Sequence, residues 1–175
     1  MYEERISHAA ELFMAGYNCA QSVFAAFADL YGLTRTQALL VSASFGAGIG
    51  RMRETCGTAS AIYMLAGLET GTIIGADREG KSANYAVVQE LAARFREKHK
   101  TTVCRELLGL RKNAPTPPVA DPRTAEYYKK RPCVRMVESA ATIYAQFLSE
   151  RAEKGIPLRA GHMSDWETSH HPDAL

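Results

Sequence analysis

Apolar residues recur at helical spacing along most of this 175-residue chain, and no stretch alternates apolar and polar residues as a β-strand would. Ile6, Ala9 and Phe13, for example, lie on one face of a first helix that Gly16 ends. The pattern predicts an all-α fold, a single-domain bundle of about six to eight helices with glycine-rich connections. We expect residues 1–154 to form this helical domain and residues 155–175 to form a polar tail.

Capping residues and glycines set the predicted helix boundaries. Asn18 with Gln21, and Thr34 with Gln37, have the spacing of capping boxes. We expect helices from 19 to Gly32, from 35 to about 45, and over about 57–68, 82–98 and 103–109. A short helix capped by Asp121-Pro122 should contain Tyr127 and Tyr128, and a last one should extend from Val134 to about Leu148. The helix at 57–68 is apolar on nearly every side, so we place it centrally.

Composition excludes several classes of protein. The 21 basic and 19 acidic side chains leave a net charge of only +2, which does not indicate a nucleic-acid partner. The uncharged runs, the longest from Leu12 to Ala28, are too short or too interrupted for membrane insertion. The first residues lack a secretory signal pattern, so we expect a cytoplasmic protein. Two highly apolar helices and a detached tail would suit a homodimer.

Four cysteines are the candidate functional residues. None forms a C-x-x-C pair, but each is predicted in the first turn of a helix: Cys19, Cys56, Cys104 and Cys133. Free N–H groups and the helix dipole stabilise an anion there, so we expect lowered thiol pKa values. Nearby arginines act in the same direction, namely Arg51, Arg53, Arg105, Arg131 and Arg135. Any single cysteine is more often a small buried apolar residue, but four at helix starts indicate a shared role.

Five short motifs, in order, carry a family resemblance: Gly16-Tyr17-Asn18-Cys19-Ala20-Gln21, Phe45-Gly46-Ala47-Gly48-Ile49-Gly50-Arg51, Cys56-Gly57, Cys104-Arg105-Glu106-Leu107-Leu108-Gly109 and Cys133. Over about residues 5–150 the chain resembles the C_GCAxxG_C_C family, small bacterial and archaeal proteins described as redox-active. The resemblance implies that the four cysteines form one redox or metal-binding set. The chain departs from the family at Thr58 and Ala61, where alanine and glycine are usual. A related domain is found in split-Soret-type cytochromes, but no C-x-x-C-H is present and no haem is expected.

Glycines near Cys56 are candidate cofactor contacts. Residues 46–57 would supply backbone N–H groups to a cluster sulfur or an anion, with Gly48, Gly50 and Gly57 as the predicted contacts. The G-x-G-x-x-G spacing of dinucleotide sites is absent. We interpret all five histidines, His8, His99, His162, His170 and His171, as solvated surface residues. We interpret residues 127–131, which are basic and aromatic, as a solvated helix end.

Three functions remain open from the sequence. The four cysteines would hold an iron–sulfur cluster for electron transfer with an unidentified redox partner, or they would exchange thiols and disulfides without a metal. The alternative is a structural zinc site in an interaction protein without turnover.

Overall fold

The computed structural model describes residues 2–159, and within them it contains eight α-helices and no β-sheet. The helices are α1 (Glu3–Met14), α2 (Cys19–Ala25), α3 (Arg35–Ser42), α4 (Gly57–Thr70), α5 (Arg78–His99), α6 (Cys104–Leu107), α7 (Ala125–Lys130) and α8 (Cys133–Glu153). Two short 3₁₀ turns follow α2 and α3, at Ala28–Tyr31 and Ala43–Phe45. The predicted all-α fold is confirmed. Residues 160–175, most of the predicted tail, lie outside the described residues.

Helix α4 lies at the centre of the bundle, as its apolar composition predicts. It packs against α2, α5 and α8, while α1 packs against α2 and α8. Ile62 and Leu65 of α4 are fully buried. The Tyr144 hydroxyl on α8 donates a hydrogen bond to the Leu65 carbonyl at 3.1 Å and also contacts the Tyr31 hydroxyl, so two buried phenols are paired.

Both predicted capping boxes are present. The Asn18 side chain accepts from the backbone of Ala20 and Gln21, and the Gln21 side chain accepts from the Asn18 N–H. Thr34 and Gln37 make the same reciprocal pair at the start of α3. These local caps fix where two helices begin, and one of them begins at Cys19.

Several predicted boundaries were wrong. Helix α2 ends at Ala25 rather than near Gly32, because Arg5 donates to the Ala26 carbonyl at 2.7 Å and pairs with Asp29 at the break. Helix α5 begins at Arg78, four residues before the predicted start, since the Asp77 side chain accepts from the Gly80 N–H at 2.8 Å. The cap of α7 is Thr124 and not Asp121, which has arginine partners instead.

No helix within residues 2–159 combines the length and the apolar character that crossing a membrane requires.

Candidate functional site

All four cysteines lie at the amino ends of helices, as the sequence predicts. Cys19, Cys104 and Cys133 are the first residues of α2, α6 and α8, and Cys56 is the N-cap of α4. The first-turn N–H groups are partly used by other partners, since Ala20 and Gln21 donate to the Asn18 side chain and Cys104 donates to the Glu54 carbonyl.

A short backbone pairing brings two of the cysteines together. The Cys56 N–H donates to the Thr102 carbonyl at 2.7 Å, and the Cys104 N–H donates to the Glu54 carbonyl at 2.6 Å. These bonds flank an antiparallel bridge between Thr55 and Val103. Because the pairing is antiparallel, Cys56 and Cys104 are diagonal neighbours in it and not directly opposite each other.

The four cysteines line one cavity of about 300 Å³. All are free thiols, with Cys56 and Cys104 buried and the other two half-buried. No three His, Cys, Asp or Glu side chains within residues 2–159 form a group that could hold a single metal ion. The four thiols line this cavity from four helix starts.

The connection before Cys56 has an unusual backbone. Five consecutive residues, Ala47 to Arg51, and then Arg53 have positive φ, from 54° at Gly50 to 74° at Gly48. A positive φ at a residue with a side chain costs about 1–2 kcal/mol, so this left-handed segment must be stabilised by its surroundings. One hydrogen bond fastens the segment to the residues before it: the Gly50 N–H donates to the Ser44 carbonyl at 2.7 Å.

The left-handed segment (residues 47–53) supplies groups to the cavity. The backbone N–H of Ala47 favours the thiolate form of Cys19, against the larger and opposite effect of burial on the pKa of that thiol. Arg51 and Arg53 line the cavity from the same segment. We expected residues 46–57 to offer such an N–H group, but the residue types at Ala47 and Ile49 do not predict a left-handed backbone.

The three glycines predicted to contact a cofactor have different surroundings. A Cβ added to Gly48 would lie 2.6 Å from the Cys104 Cβ, and one added to Gly57 would lie 2.6 Å from the Cys19 Sγ. Gly50 lines the cavity and has open space around it, with its nearest neighbour at 4.0 Å. Gly48 and Gly57 thus allow the close approach of a cysteine.

The sequence prediction of lowered thiol pKa values was wrong for three cysteines. Burial raises the pKa of Cys19 to about 12 and that of Cys133 to about 11, and it also raises the pKa of Cys104. Repulsion from a neighbouring Cys56 thiolate adds to each increase. Desolvation of the charged form outweighs the helix ends and arginines, so without a bound cation these thiols are neutral at pH 7.

The hydroxyl of Thr58, where the chain departs from the family pattern, lies 3.2 Å from the Cys56 Sγ. Ala61, the other departure, is completely buried in the core. The added hydroxyl therefore bears directly on a candidate sulfur, whereas the added methyl group of Ala61 is accommodated by packing.

Asp121 connects the proline-rich residues 110–124 to the cavity lined by the cysteines. Its Oδ2 is 2.8 Å from nitrogens of both Arg51 and Arg131, and 3.8 Å from Arg53. The hydrogen bond from Arg51 is the main reason why the pKa of Asp121 is below its ordinary value. One carboxylate therefore links the 110–124 connection, the left-handed segment and Arg131, the residue that follows α7.

We expect Asp121→Asn to lower the free energy of unfolding by about 1.5 kcal/mol at pH 7, because charged hydrogen bonds to two arginines are lost. The folded pKa is lowered, so this stabilisation is present above the unfolded pKa and is lost as the pH falls through the folded one. Urea unfolding at several pH values should show a constant difference near neutrality that narrows below about pH 4. Cysteine alkylation should also accelerate in this variant.

Asp29→Asn is the matched control, because Asp29 also has a lowered pKa from an arginine partner but does not line the cavity. It should lose stability in the same pH range without faster alkylation. Equal alkylation rates in both variants would contradict the role of Asp121 in covering the cysteines.

The prediction of a solvated helix end at residues 127–131 holds for Lys129 and Lys130, which are exposed, and was wrong for the two tyrosines. Tyr127 lines the cavity, and the Tyr128 hydroxyl donates to the Phe13 and Met14 carbonyls at 3.3 and 3.2 Å. The guanidinium of Arg123 stacks on Phe13 and Tyr127, with its carbon 4.7 and 4.6 Å from the two ring centres. The aromatic residues thus pack α7 against α1. They also hold Arg123, a cavity residue that the sequence analysis did not identify.

The prediction that the histidines are solvated surface residues is confirmed for His8 and wrong for His99. His8 is exposed and lies 3.6 Å from Glu11, as expected for a surface residue. His99 is half-buried against Phe95 and contacts the Ser139 hydroxyl at 2.7 Å, so its predicted full solvation was wrong. His162, His170 and His171 lie outside the described residues.

Together these observations define a class of protein: a small helical bundle in which four helix starts present cysteines to one arginine-lined cavity. The model of the family described as "Putative redox-active protein (C_GCAxxG_C_C)" matches residues 17–147, and the chain belongs to this family. That match begins two residues before Cys19 and contains all four cysteines. Comparison with curated proteins and comparison with solved structures each found no match.

Proposed function

We propose that the four cysteines together hold an iron–sulfur cluster used in electron transfer. The observation that carries this proposal is that four free thiols from four helix starts line the same cavity of about 300 Å³. Four cysteines are the ligand set of [2Fe–2S] and [4Fe–4S] clusters. When bound, such a cluster would supply reversible one-electron transfer.

The spacing of the thiols supports a cluster over a zinc site. In a zinc site, all four sulfurs lie about 2.3 Å from one ion. In a [4Fe–4S] cluster each thiolate binds its own iron, and in a [2Fe–2S] cluster two thiolates bind each iron, so the four ligands do not all meet at one ion. The four cysteines line one cavity without forming a group suited to a single ion within residues 2–159.

The same geometry supports a cluster over a disulfide between Cys56 and Cys104. Diagonal neighbours in a regular antiparallel pair are about 7–8 Å apart between Cα atoms. A disulfide requires Cβ atoms about 3.5–4.5 Å apart, so its formation here would require the backbone to move. Exchange with an external disulfide also requires a thiolate, and burial keeps the thiols of Cys19, Cys104 and Cys133 neutral.

The chain provides groups that would stabilise bound thiolates. The Ala47 N–H favours the thiolate form of Cys19, and the Arg53 side chain favours that of Cys104. The Thr58 hydroxyl lies 3.2 Å from the Cys56 sulfur and can donate to it. Hydrogen bonds to the sulfurs and positive charge nearby raise the reduction potential of a cluster, while burial excludes water. Arg131 adds positive charge beside Cys104 and Cys133.

We expect anaerobically purified protein to contain iron and acid-labile sulfide and to show broad visible absorbance that disappears on oxidation in air. Cys104→Ser should lose most of the iron, because a neutral hydroxyl replaces a thiolate ligand. Metal analysis, sulfide analysis and absorbance spectroscopy of the same samples provide the measurement.

Three other outcomes would contradict the cluster. Protein without iron or sulfide after anaerobic purification would exclude it. One zinc per chain, with unfolding on chelation, would establish the structural metal site instead. A reversible loss of free thiols on mild oxidation of protein that lacks iron and sulfide even after anaerobic purification would establish thiol–disulfide chemistry instead.

A further inference from the structure

Two arginine N–H groups at the cavity lack hydrogen-bond partners. Arg51 Nε and Arg123 Nη1 are buried, and neither has a partner among residues 2–159. A buried donor on a charged group that remains unpaired costs about 1–3 kcal/mol or more. Both residues line the same cavity, so the two unpaired donors lie in the wall of one site.

The surroundings of these arginines hold them in place. Arg123 is stacked on Phe13 and Tyr127, and its Nη2 donates to the Tyr17 carbonyl at 3.1 Å. Arg51 uses Nη1 to bind Asp121 at 2.8 Å, which leaves the Nε side of its guanidinium without a partner. Guanidinium groups fixed in this way bind planar or tetrahedral oxyanions with little loss of conformational entropy.

The charges at the cavity are not balanced by its own side chains. The charged residues that line it are four arginines and one aspartate: Arg51, Arg53, Arg123, Arg131 and Asp121. A single oxygen, Asp121 Oδ2, is the acceptor for three of those arginines. Arg123 forms no salt bridge in the part of the chain that the structure describes. Apart from the cysteines, the side chains that line the cavity therefore carry an excess of positive charge.

We propose that this cavity binds a small anion whose charge is on oxygen, held by Arg51 and Arg123 beside the cysteines. Arginine pairs with carboxylates and with tetrahedral oxyanions through the same N–H donors. Leu107, Pro118 and Met136 also line the cavity and would contact a short carbon chain. The charge of Arg123 acts on Cys133, so the anion lies next to a candidate redox residue. This inference rests on the arginines and holds whether or not the cysteines bind iron.

Isothermal titration calorimetry of the anaerobically purified full chain, in a buffer low in chloride, tests the site with sulfate and with butyrate. We expect saturable binding of one anion per chain. Arg51→Gln and Arg123→Gln should each weaken the affinity roughly tenfold or more, since each removes a charge-assisted hydrogen bond. Tighter binding of sulfate would indicate an inorganic oxyanion, and tighter binding of butyrate would indicate an organic carboxylate.

Arg78→Gln is the matched control, because Arg78 is exposed at the start of α5 and remote in sequence from the cavity lining. It should leave the affinity unchanged. If Arg123→Gln unfolds the protein, Arg51→Gln and the charge-conserving Arg123→Lys keep the test valid, and Arg123→Lys should also weaken binding. The absence of saturable heat with both anions, or affinities unaffected by the cavity variants, would overturn the proposal.

Iron content measured on the same samples separates this inference from the proposed function. Anion binding to iron-free protein would support the anion site while the cluster proposal fails. Iron-loaded protein that binds neither anion would retain the cluster and overturn the anion site. Binding that occurs only after iron is removed would also overturn it, because the arginines would then serve the cluster alone.

Discussion

Replacing Gly57 by alanine is expected to lower the free energy of unfolding by about 2–3 kcal/mol. The new Cβ would lie 2.6 Å from the Cys19 Sγ and 2.7 Å from the Phe45 carbonyl oxygen. The carbonyl belongs to the backbone and cannot rotate away, so the start of α4 must move from α2. Cys19 would be displaced with it, and we expect the variant to lose metal or cluster content as well as stability.

Gly67→Ala provides the control within the same helix. Gly67 has nothing within 4 Å of an added Cβ, and it is exposed. Alanine is favoured over glycine in a helix interior by about 1 kcal/mol, so this variant should be slightly more stable than the parent. Denaturant unfolding of both variants measures the difference. Similar stability of the two variants would show that α4 does not approach Cys19 as closely as the structure indicates.

The sequence predicts those parts of the site that depend on local interactions. The capping box at Asn18 and Gln21 places Cys19 at a helix start through contacts within four residues. Pro132 cannot continue a hydrogen-bonded turn, and Cys133 begins α8 directly after it. Such features involve neighbouring residues only, and so helical spacing and capping residues were enough to identify them.

The arrangement around the cavity depends on contacts that local patterns do not encode. Cys56 and Cys104 are brought together by two backbone hydrogen bonds between segments 46 or more residues apart, which side-chain periodicity does not reveal. Asp121 was interpreted as a helix cap because aspartate before proline is common there, yet its partners are distant arginines. The pKa of Cys19 was also misjudged, because burial dominates it and burial is a property of the whole fold.

The left-handed segment shows a second limit of sequence reasoning. Glycines at 46, 48 and 50 indicate a tight connection, but Ala47, Ile49 and Arg51 also have positive φ, at 56°, 58° and 69°. Residues with a Cβ rarely adopt this conformation, so nothing in their identity predicts it. Strain of this kind is often found at functional sites, and here the strained segment places Ala47 and Arg51 in the lining of the cavity.

Gly48→Ala should have the largest effect of any single methyl group added to this segment, a loss of about 3–4 kcal/mol in the free energy of unfolding. Two contributions add. At φ 74° a Cβ costs about 1–2 kcal/mol, and crowding costs a further 1–3 kcal/mol because the Cβ would lie 2.6 Å from the Cys104 Cβ and 2.9 Å from the Arg53 backbone. The movement of Cys104 should also increase its rate of alkylation.

Gly50→Ala separates these two contributions. Gly50 has a similar φ of 54°, but the nearest atom to an added Cβ is the Ser44 carbonyl oxygen at 4.0 Å. Only the backbone penalty of about 1–2 kcal/mol should remain, and Cys104 should keep its parental alkylation rate. Urea unfolding measures both losses, and the difference between them isolates the close packing of Gly48 against Cys104. If both variants lose the same stability, Gly48 serves only the left-handed backbone, and its contact with Cys104 contributes nothing to holding that cysteine at the cavity.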